Sequence, residues 1–85
     1  MISTTDHETF LTEWIAARNG LPAGAIDPTT PLVEGGLLDS LRVLDLLLAI
    51  EERRGGPPDP MALGPGAFRD ARTIAARFLE DSSHG

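Results

Sequence analysis

Few residues of this 85-residue chain could do chemistry, and the best placed of them is Ser40. Asp39 and Ser40 stand where a helical pattern begins, so the Ser40 hydroxyl is expected near unpaired backbone N–H groups and the positive end of the helix dipole. One interpretation is that either side chain simply caps the helix, as Asp and Ser usually do. The other is that Oγ carries a phosphate ester, which this position would stabilise. Position alone favours the first.

The composition excludes most other kinds of site. The chain has no Cys, which excludes disulfides, thiol catalysis and cysteine-ligated zinc or iron–sulfur centres. Its two histidines, His7 and His84, lie near the termini, and neither is expected to deprotonate Ser40. We expect His7 to be a surface residue of the first helical turn and His84 to have no metal role. The chain is therefore predicted not to be an enzyme.

The net charge restricts the partners. Seven Arg, no Lys and 13 acidic residues give a net charge of −6, which repels nucleic acid and anionic membranes. Partners with basic patches are expected instead. The first residues lack the basic start and apolar run of a signal peptide, and the longest apolar run, 46–50, is far too short to cross a bilayer. These features predict a cytoplasmic protein.

Hydrophobic spacing predicts the helices that must position Ser40. The first helix is expected from a T-x-x-E capping box at 5–8 to the stop signal Asn-Gly at 19–20. The second is expected over 39–54, and the last from a cap at Asp70 to 81. No segment shows the alternation of a strand.

The connections between the helices are rich in Pro and Gly. Residues 21–38 form a long loop, which we expect to be pinned by Ile26, Leu32 and Val33. Residues 57–66 leave room for at most one helical turn, around Pro60–Leu63. The fold class predicted is all-α: a small three- to four-helix bundle with a long loop between the first and second helices. We expect one monomeric domain over 1–85, with an ordered core at about 5–81 and a frayed tail at 82–85.

The second helix carries two apolar stripes, although a small bundle can bury only one. With about 100° of rotation per residue, the core stripe consists of Val43, Leu46, Leu47 and Ile50. The second, which we call the leucine stripe, consists of Leu41, Leu44 and Leu48, and it is flanked by Asp45, Glu51 and Glu52. An exposed leucine patch rimmed by carboxylates is typical of a transient docking surface. The alternative is that loop 21–38 or the last helix covers it.

Residues 36–41 read GLLDSL, which resembles the G-x-D-S-L signature of the acyl and peptidyl carrier proteins with one extra Leu. The segments around this signature also match those of the family in order and spacing. Residues 26–32 resemble the family's loop ahead of the signature, 49–52 the end of its second helix, and 67–75 the start of its last helix. The resemblance covers about residues 8–80.

The resemblance implies that a phosphopantetheinyl transferase attaches 4′-phosphopantetheine from coenzyme A to Ser40. The thiol of that arm would then carry an acyl or aminoacyl group as a thioester. Asp39 would serve recognition by the transferase and its metal. Further partners implied are a loading adenylation or acyltransferase enzyme and downstream synthase or modifying enzymes. The partner-facing positions on the second helix would be Leu41, Arg42, Leu44, Asp45, Leu48, Glu51 and Glu52.

Two departures from the family pattern bear on the pathway. Arg42 stands where acidic fatty-acid carriers usually have an acidic or polar residue, and 53–58 (RRGGPP) replace their usual Phe-Gly segment. Both argue against a housekeeping fatty-acid role. Residues 36–41 and 68–75 resemble more closely the stand-alone carriers of secondary metabolism, including aminoacyl and D-alanyl types, which implies polyketide or nonribosomal peptide biosynthesis. We expect a bacterial protein from the Arg-only, Ala-, Gly- and Pro-rich composition, and a free-standing one from the initiator Met and the short polar tail. The alternative is a helical adaptor with no prosthetic group that binds proteins through the leucine stripe.

Overall fold

Helices and loops make up the whole of the computed structural model, which describes residues 4–58, 60–64 and 66–79. Helix α1 spans Thr4–Arg18 and α2 spans Ser40–Arg54; a 3₁₀ turn at Pro60–Leu63 precedes α3, which is α-helical over Ala71–Ile74 and π-helical over Ala75–Leu79. No strand occurs in these ranges. The predicted all-α bundle with a long loop between the first two helices is confirmed. The predicted end of the last helix, the tail 82–85 and His84 lie outside the described residues.

The start of α1 differs from the sequence prediction. The helix already includes Thr4, so exposed Thr5 lies inside it and is not its N-cap. The other half of the expected capping box, Glu8, instead pairs with Arg72 of α3, with 3.6 Å between Oε2 and Nε. Glu8 is mostly buried on the side of α1 that packs against α3, so a tertiary partner replaces the local one. The end of α1 is as predicted, with Gly20 in the left-handed region at φ 71°.

All three helices contribute to one hydrophobic core. Its largest fully buried side chains come from α1, loop 21–38, α2 and α3: Leu11, Ile15, Leu32, Leu46, Ile50, Ile74, Phe78 and Leu79. Phe68, just ahead of the Asp70 cap, stacks on Phe78 with 5.4 Å between ring centroids. The predicted packing of Phe68 against the last helix is therefore confirmed.

Loop 21–38 is held by two of its three expected anchors. Ile26 and Leu32 are buried, but Val33 is 55% exposed, so its predicted role as an anchor is wrong. The backbone explains this, because the Leu32 carbonyl accepts the N–H groups of Leu37 and Leu38 at 2.8 and 3.1 Å. With Leu32 directed into the core, the adjacent Val33 lies in the following turn and faces solvent.

The first half of the loop is ordered by its own polar residues and by α3. The Asp27 carboxylate accepts the hydroxyl and the N–H of Thr29 at 2.7 and 3.1 Å, and these hydrogen bonds hold the pKa of Asp27 below its usual range. The Pro28 carbonyl accepts the N–H of Arg72 at 2.9 Å. The loop segment that precedes Ser40 is thus tied to the start of α3.

A tight turn in this loop requires a glycine at position 35. A Cβ on Gly35 would lie 2.6 Å from the Pro31 carbonyl oxygen, so the backbone would have to move. We expect Gly35→Ala to destabilise the fold by about 1–3 kcal/mol, the usual cost of overpacking. That corresponds to a Tm drop of roughly 4–8 °C for each kcal/mol in a domain of this size. The control is Gly56→Ala, where an added Cβ meets nothing within 4 Å. Equal melting temperatures for the two variants would contradict this reading of the turn.

Candidate functional site

Ser40 is the first residue of α2, and its neighbour Asp39 is the helix cap. Asp39 has an extended backbone, and its Oδ1 accepts the N–H of Arg42 at 2.9 Å. Ser40 is exposed, and its Oγ makes no hydrogen bond within the described part of the chain. The capping role that sequence left to either residue therefore belongs to Asp39. The Ser40 hydroxyl remains accessible at the positive end of a 15-residue helix.

An open groove of about 570 Å³ lies beside the serine. It is lined by Val33, Leu38, Asp39, Ser40 and Val43, so its walls are mainly aliphatic. Sequence reasoning missed Val33 as a groove residue, because its apolar character suggested a buried anchor. A chemical group attached to the Ser40 Oγ can therefore contact both solvent and an apolar surface.

The leucine stripe of α2 is exposed. Leu41, Leu44 and Leu48 are 75%, 60% and 62% accessible, so neither loop 21–38 nor α3 covers them. On the core stripe, Leu46 and Ile50 are fully buried while Val43 and Leu47 are half-buried. The division of α2 into a buried and an exposed apolar stripe is confirmed, whereas the docking role of the exposed one stays a prediction.

Unpaired negative charge lies beside the leucine stripe. The side-chain carboxylates of Asp45, Glu51 and Glu52 have no ion-pair or hydrogen-bond partner among the described residues. All seven arginines, in contrast, make contacts inside the molecule. Their partners are the Trp14 ring for Arg18, the Arg18 carbonyl for Arg42, His7 for Arg53, the Pro57 carbonyl for Arg54, Asp70 for Arg69, Glu8 for Arg72 and the Ala62 carbonyl for Arg77. The surface around the stripe therefore favours a basic partner.

Arg42 and Arg53 connect α2 to the two ends of α1. The Arg42 Nη1 donates to the Arg18 carbonyl at 2.7 Å, where a cation favours the helix dipole. The Arg53 Nε donates to His7 Nδ1 at 3.1 Å, and its guanidinium lies 4.4 Å from the centre of the Phe10 ring. These contacts span 24 and 46 residues, so no local pattern could have revealed them. The partner-docking role of Arg42 stays a prediction beside this internal one.

Two kinds of site find no support in the described residues. No group of three His, Asp or Glu side chains there could hold a metal ion. No helix in those ranges is long and apolar enough to cross a membrane.

Comparison with known families identifies the class of protein that carries this site. The family model of the phosphopantetheine attachment site matches residues 9–77, which is most of the chain. The chain therefore belongs to the phosphopantetheine-binding carrier family, whose members hold 4′-phosphopantetheine covalently and act as acyl carriers rather than catalysts. A search among curated proteins found no match.

The geometry at Ser40 fits such a group. A phosphodiester on an exposed, unbonded Oγ would gain from the α2 dipole and disturb no hydrogen bond of the described residues. Asp39 already directs Oδ1 at the Arg42 N–H, which limits its repulsion of a neighbouring phosphate. Val33, Leu38 and Val43 offer apolar contact to the chain that follows the phosphate.

Proposed function

We propose that this protein carries 4′-phosphopantetheine on Ser40 and uses it to deliver an acyl or aminoacyl group to biosynthetic enzymes. The observation that supports this most strongly is the free, exposed Ser40 hydroxyl at the first position of α2, with the cap supplied by Asp39. This chain belongs to the carrier family, and its Ser40 lies in segment 36–41, which resembles the family's G-x-D-S-L signature. When bound, the group supplies a thiol at the end of a flexible arm, where cargo is held as a thioester.

The chain's own residues then have separate tasks. Ser40 is the attachment point, and Asp39 orders the helix start while presenting a negative charge next to it. The leucine stripe contacts the phosphopantetheinyl transferase, the loading enzyme and the downstream enzymes in turn. The unpaired carboxylates of Asp45, Glu51 and Glu52 attract basic surfaces on those partners, mainly by raising the association rate.

The pathway we propose is polyketide or nonribosomal peptide biosynthesis in the cytoplasm of a bacterium, with an aminoacyl or other acyl cargo. The positive side chain at Arg42 and the segment 53–58 support a carrier different from the acidic fatty-acid type. The test starts from the protein that already carries phosphopantetheine. It is incubated with candidate substrates and with the adenylation or acyltransferase enzymes encoded next to it, and the product is analysed by intact mass. A mass gain with amino acids supports this proposal, whereas exclusive acceptance of fatty-acid precursors contradicts it.

The leucine stripe also suits the second candidate, a protein-binding adaptor without a prosthetic group. Its three exposed side chains could bind a partner whether or not Ser40 is modified. Incubation with coenzyme A, Mg²⁺ and a broad-specificity transferase separates the two functions. A carrier gains the mass of one phosphopantetheine group, and an adaptor gains none.

Asp39→Asn should slow loading without weakening the fold. Asparagine keeps an oxygen that accepts the Arg42 N–H, so the melting temperature should change little. The negative charge beside Ser40 is lost, and a contact to a charged group is worth about 1.5–3 kcal/mol, so loading at limiting transferase should fall about tenfold or more. An unchanged loading rate would show that Asp39 acts only as the cap of α2. Asp70→Asn, at the equivalent cap of α3, is the matched control and should load normally.

A further inference from the structure

Two side chains join the end of α1 to the residues on either side of the α2 start. Asn19 Nδ2 donates to the carbonyl of Ile15 at 2.9 Å and to that of Leu37 at 3.1 Å. Arg42 Nη1 donates to the carbonyl of Arg18 at 2.7 Å. We call Asn19 and Arg42 the clasp. Each side chain also donates to a carbonyl in the last turn of α1. The carbonyls of that turn either have no N–H partner within the helix or share one N–H with a neighbouring carbonyl.

The contacts of the clasp lie on both sides of Ser40. On the N-terminal side, Asn19 fixes the Leu37 carbonyl while Leu32 accepts the Leu37 N–H at 2.8 Å. On the C-terminal side, Arg42 is fixed through its guanidinium and also gives its backbone N–H to the Asp39 cap. Leu38 is also buried and donates its N–H to the Leu32 carbonyl, so the short segment 39–41 lies between fixed residues on both sides, with Ser40 at its centre.

The clasp lies outside the core of the bundle. Its bonds are exposed or partly buried, whereas Leu46 and Ile50 anchor α2 further along with no accessible surface. Loss of the clasp should therefore release the start of α2 locally and leave the bundle folded.

We propose that Asn19 and Arg42 are positioning residues for the modification of Ser40. By fixing the start of α2 against α1, they set the direction of Oγ relative to the leucine stripe that a transferase would hold. Arg42 then acts inside the molecule, through the Arg18 carbonyl, and not as a charge presented to a partner. This inference rests on the proposed function, because loading of Ser40 is the reaction that it concerns.

The test compares Arg42→Gln and Asn19→Ala with Arg42→Lys and a charge-matched control, Arg77→Gln. Arg77 lies on α3, and among the described residues its side chain makes one hydrogen bond, at 3.4 Å to the Ala62 carbonyl. Two quantities are measured well below the melting temperature. The first is kcat and KM for loading by a transferase at two salt concentrations. The second is amide hydrogen exchange of Leu37, Leu38 and Val43, whose N–H groups donate to backbone carbonyls. Exchange needs no transferase, so it reports on the clasp independently of loading.

If the clasp positions Ser40, Arg42→Gln and Asn19→Ala should each lower kcat about three- to tenfold, as expected when one or two hydrogen bonds are lost. Exchange at Leu37, Leu38 and Val43 should speed up by a similar factor. KM and its salt dependence should stay near those of the wild type. Arg42→Lys should recover part of both losses, since its ammonium can donate to the same carbonyl. Arg77→Gln should change neither quantity.

Two results would overturn the inference. Unchanged exchange at Leu37, Leu38 and Val43 in both variants would show that the clasp does not hold this segment. A salt-sensitive rise in KM with unchanged kcat would make Arg42 a partner contact instead. A wild-type chain that is not loaded at all would contradict the proposed function. The exchange measurement would still decide on the clasp in that case: faster exchange in Arg42→Gln would support it, and unchanged exchange would overturn it.

Discussion

Ser40→Ala should abolish loading with phosphopantetheine and leave the fold intact. The Ser40 hydroxyl makes no hydrogen bond in the described ranges and Asp39 supplies the cap, so stability should change by no more than about 0.5 kcal/mol, as for an ordinary surface substitution. Loading should fall below detection, because 36–41 is the segment that resembles the family signature. The measurement is intact mass after incubation with coenzyme A, Mg²⁺ and a transferase, with a thermal melt of the same sample.

The matched control is Ser82→Ala, which removes a serine outside the signature segment. It should load to completion at the wild-type rate. A Ser40→Ala protein that still gains the phosphopantetheine mass would show that the attachment site lies elsewhere. A large drop in its melting temperature would mean that the hydroxyl has a structural role.

Leu46→Ala should destabilise the bundle strongly, whereas Leu44→Ala and Leu48→Ala should impair partner function instead. Leu46 is completely buried, and truncation of such a leucine costs about 2–5 kcal/mol. Each kcal/mol lowers Tm by roughly 4–8 °C in a domain of this size, so the variant should melt far below the wild type. Leu44 and Leu48 are mostly accessible and should melt within a few degrees of it.

The same variants are then assayed for cargo transfer to a cognate enzyme. We expect Leu44 and Leu48 to belong to the minority of interface residues whose truncation costs more than about 1 kcal/mol, so Leu44→Ala and Leu48→Ala should each weaken transfer by about five- to tenfold. Their effect should appear in KM or in the dissociation rate. If transfer is unaffected although both proteins are folded, the leucine stripe is not the docking surface. If they melt as early as Leu46→Ala, the stripe belongs to the core.

Local signals allowed most helix boundaries to be predicted from sequence. Asp39 and Asp70 each accept the N–H three residues further on, as capping residues do, and Gly55 ends α2 in the left-handed region. The two stripes of α2 follow from helical periodicity, because a helix in so small a bundle can bury only one face. These features depend on residues within a few positions of each other.

Features that depend on distant residues could not be predicted. Glu8 looked like half of a capping box until Arg72 of α3 provided an ion-pair partner. Val33 looked like a loop anchor, but the hydrogen bonds of Leu32 decide which of two adjacent residues faces the core. The contact of Arg42 with the Arg18 carbonyl depends on the packing of α1 against α2. The π-helical turn at Ala75–Leu79 has no sequence signal that we can identify.

Peptide mapping of the wild-type protein tests the central claim most directly. The protein is incubated with coenzyme A, Mg²⁺ and a broad-specificity transferase, digested with trypsin and analysed by tandem mass spectrometry. Cleavage after Arg18 and Arg42 releases peptide 19–42, in which Ser40 is the only serine. We predict that this peptide gains one phosphopantetheine group and that fragmentation places it on Ser40. A protein that gains no such group, or that carries it on any other residue, would contradict the account.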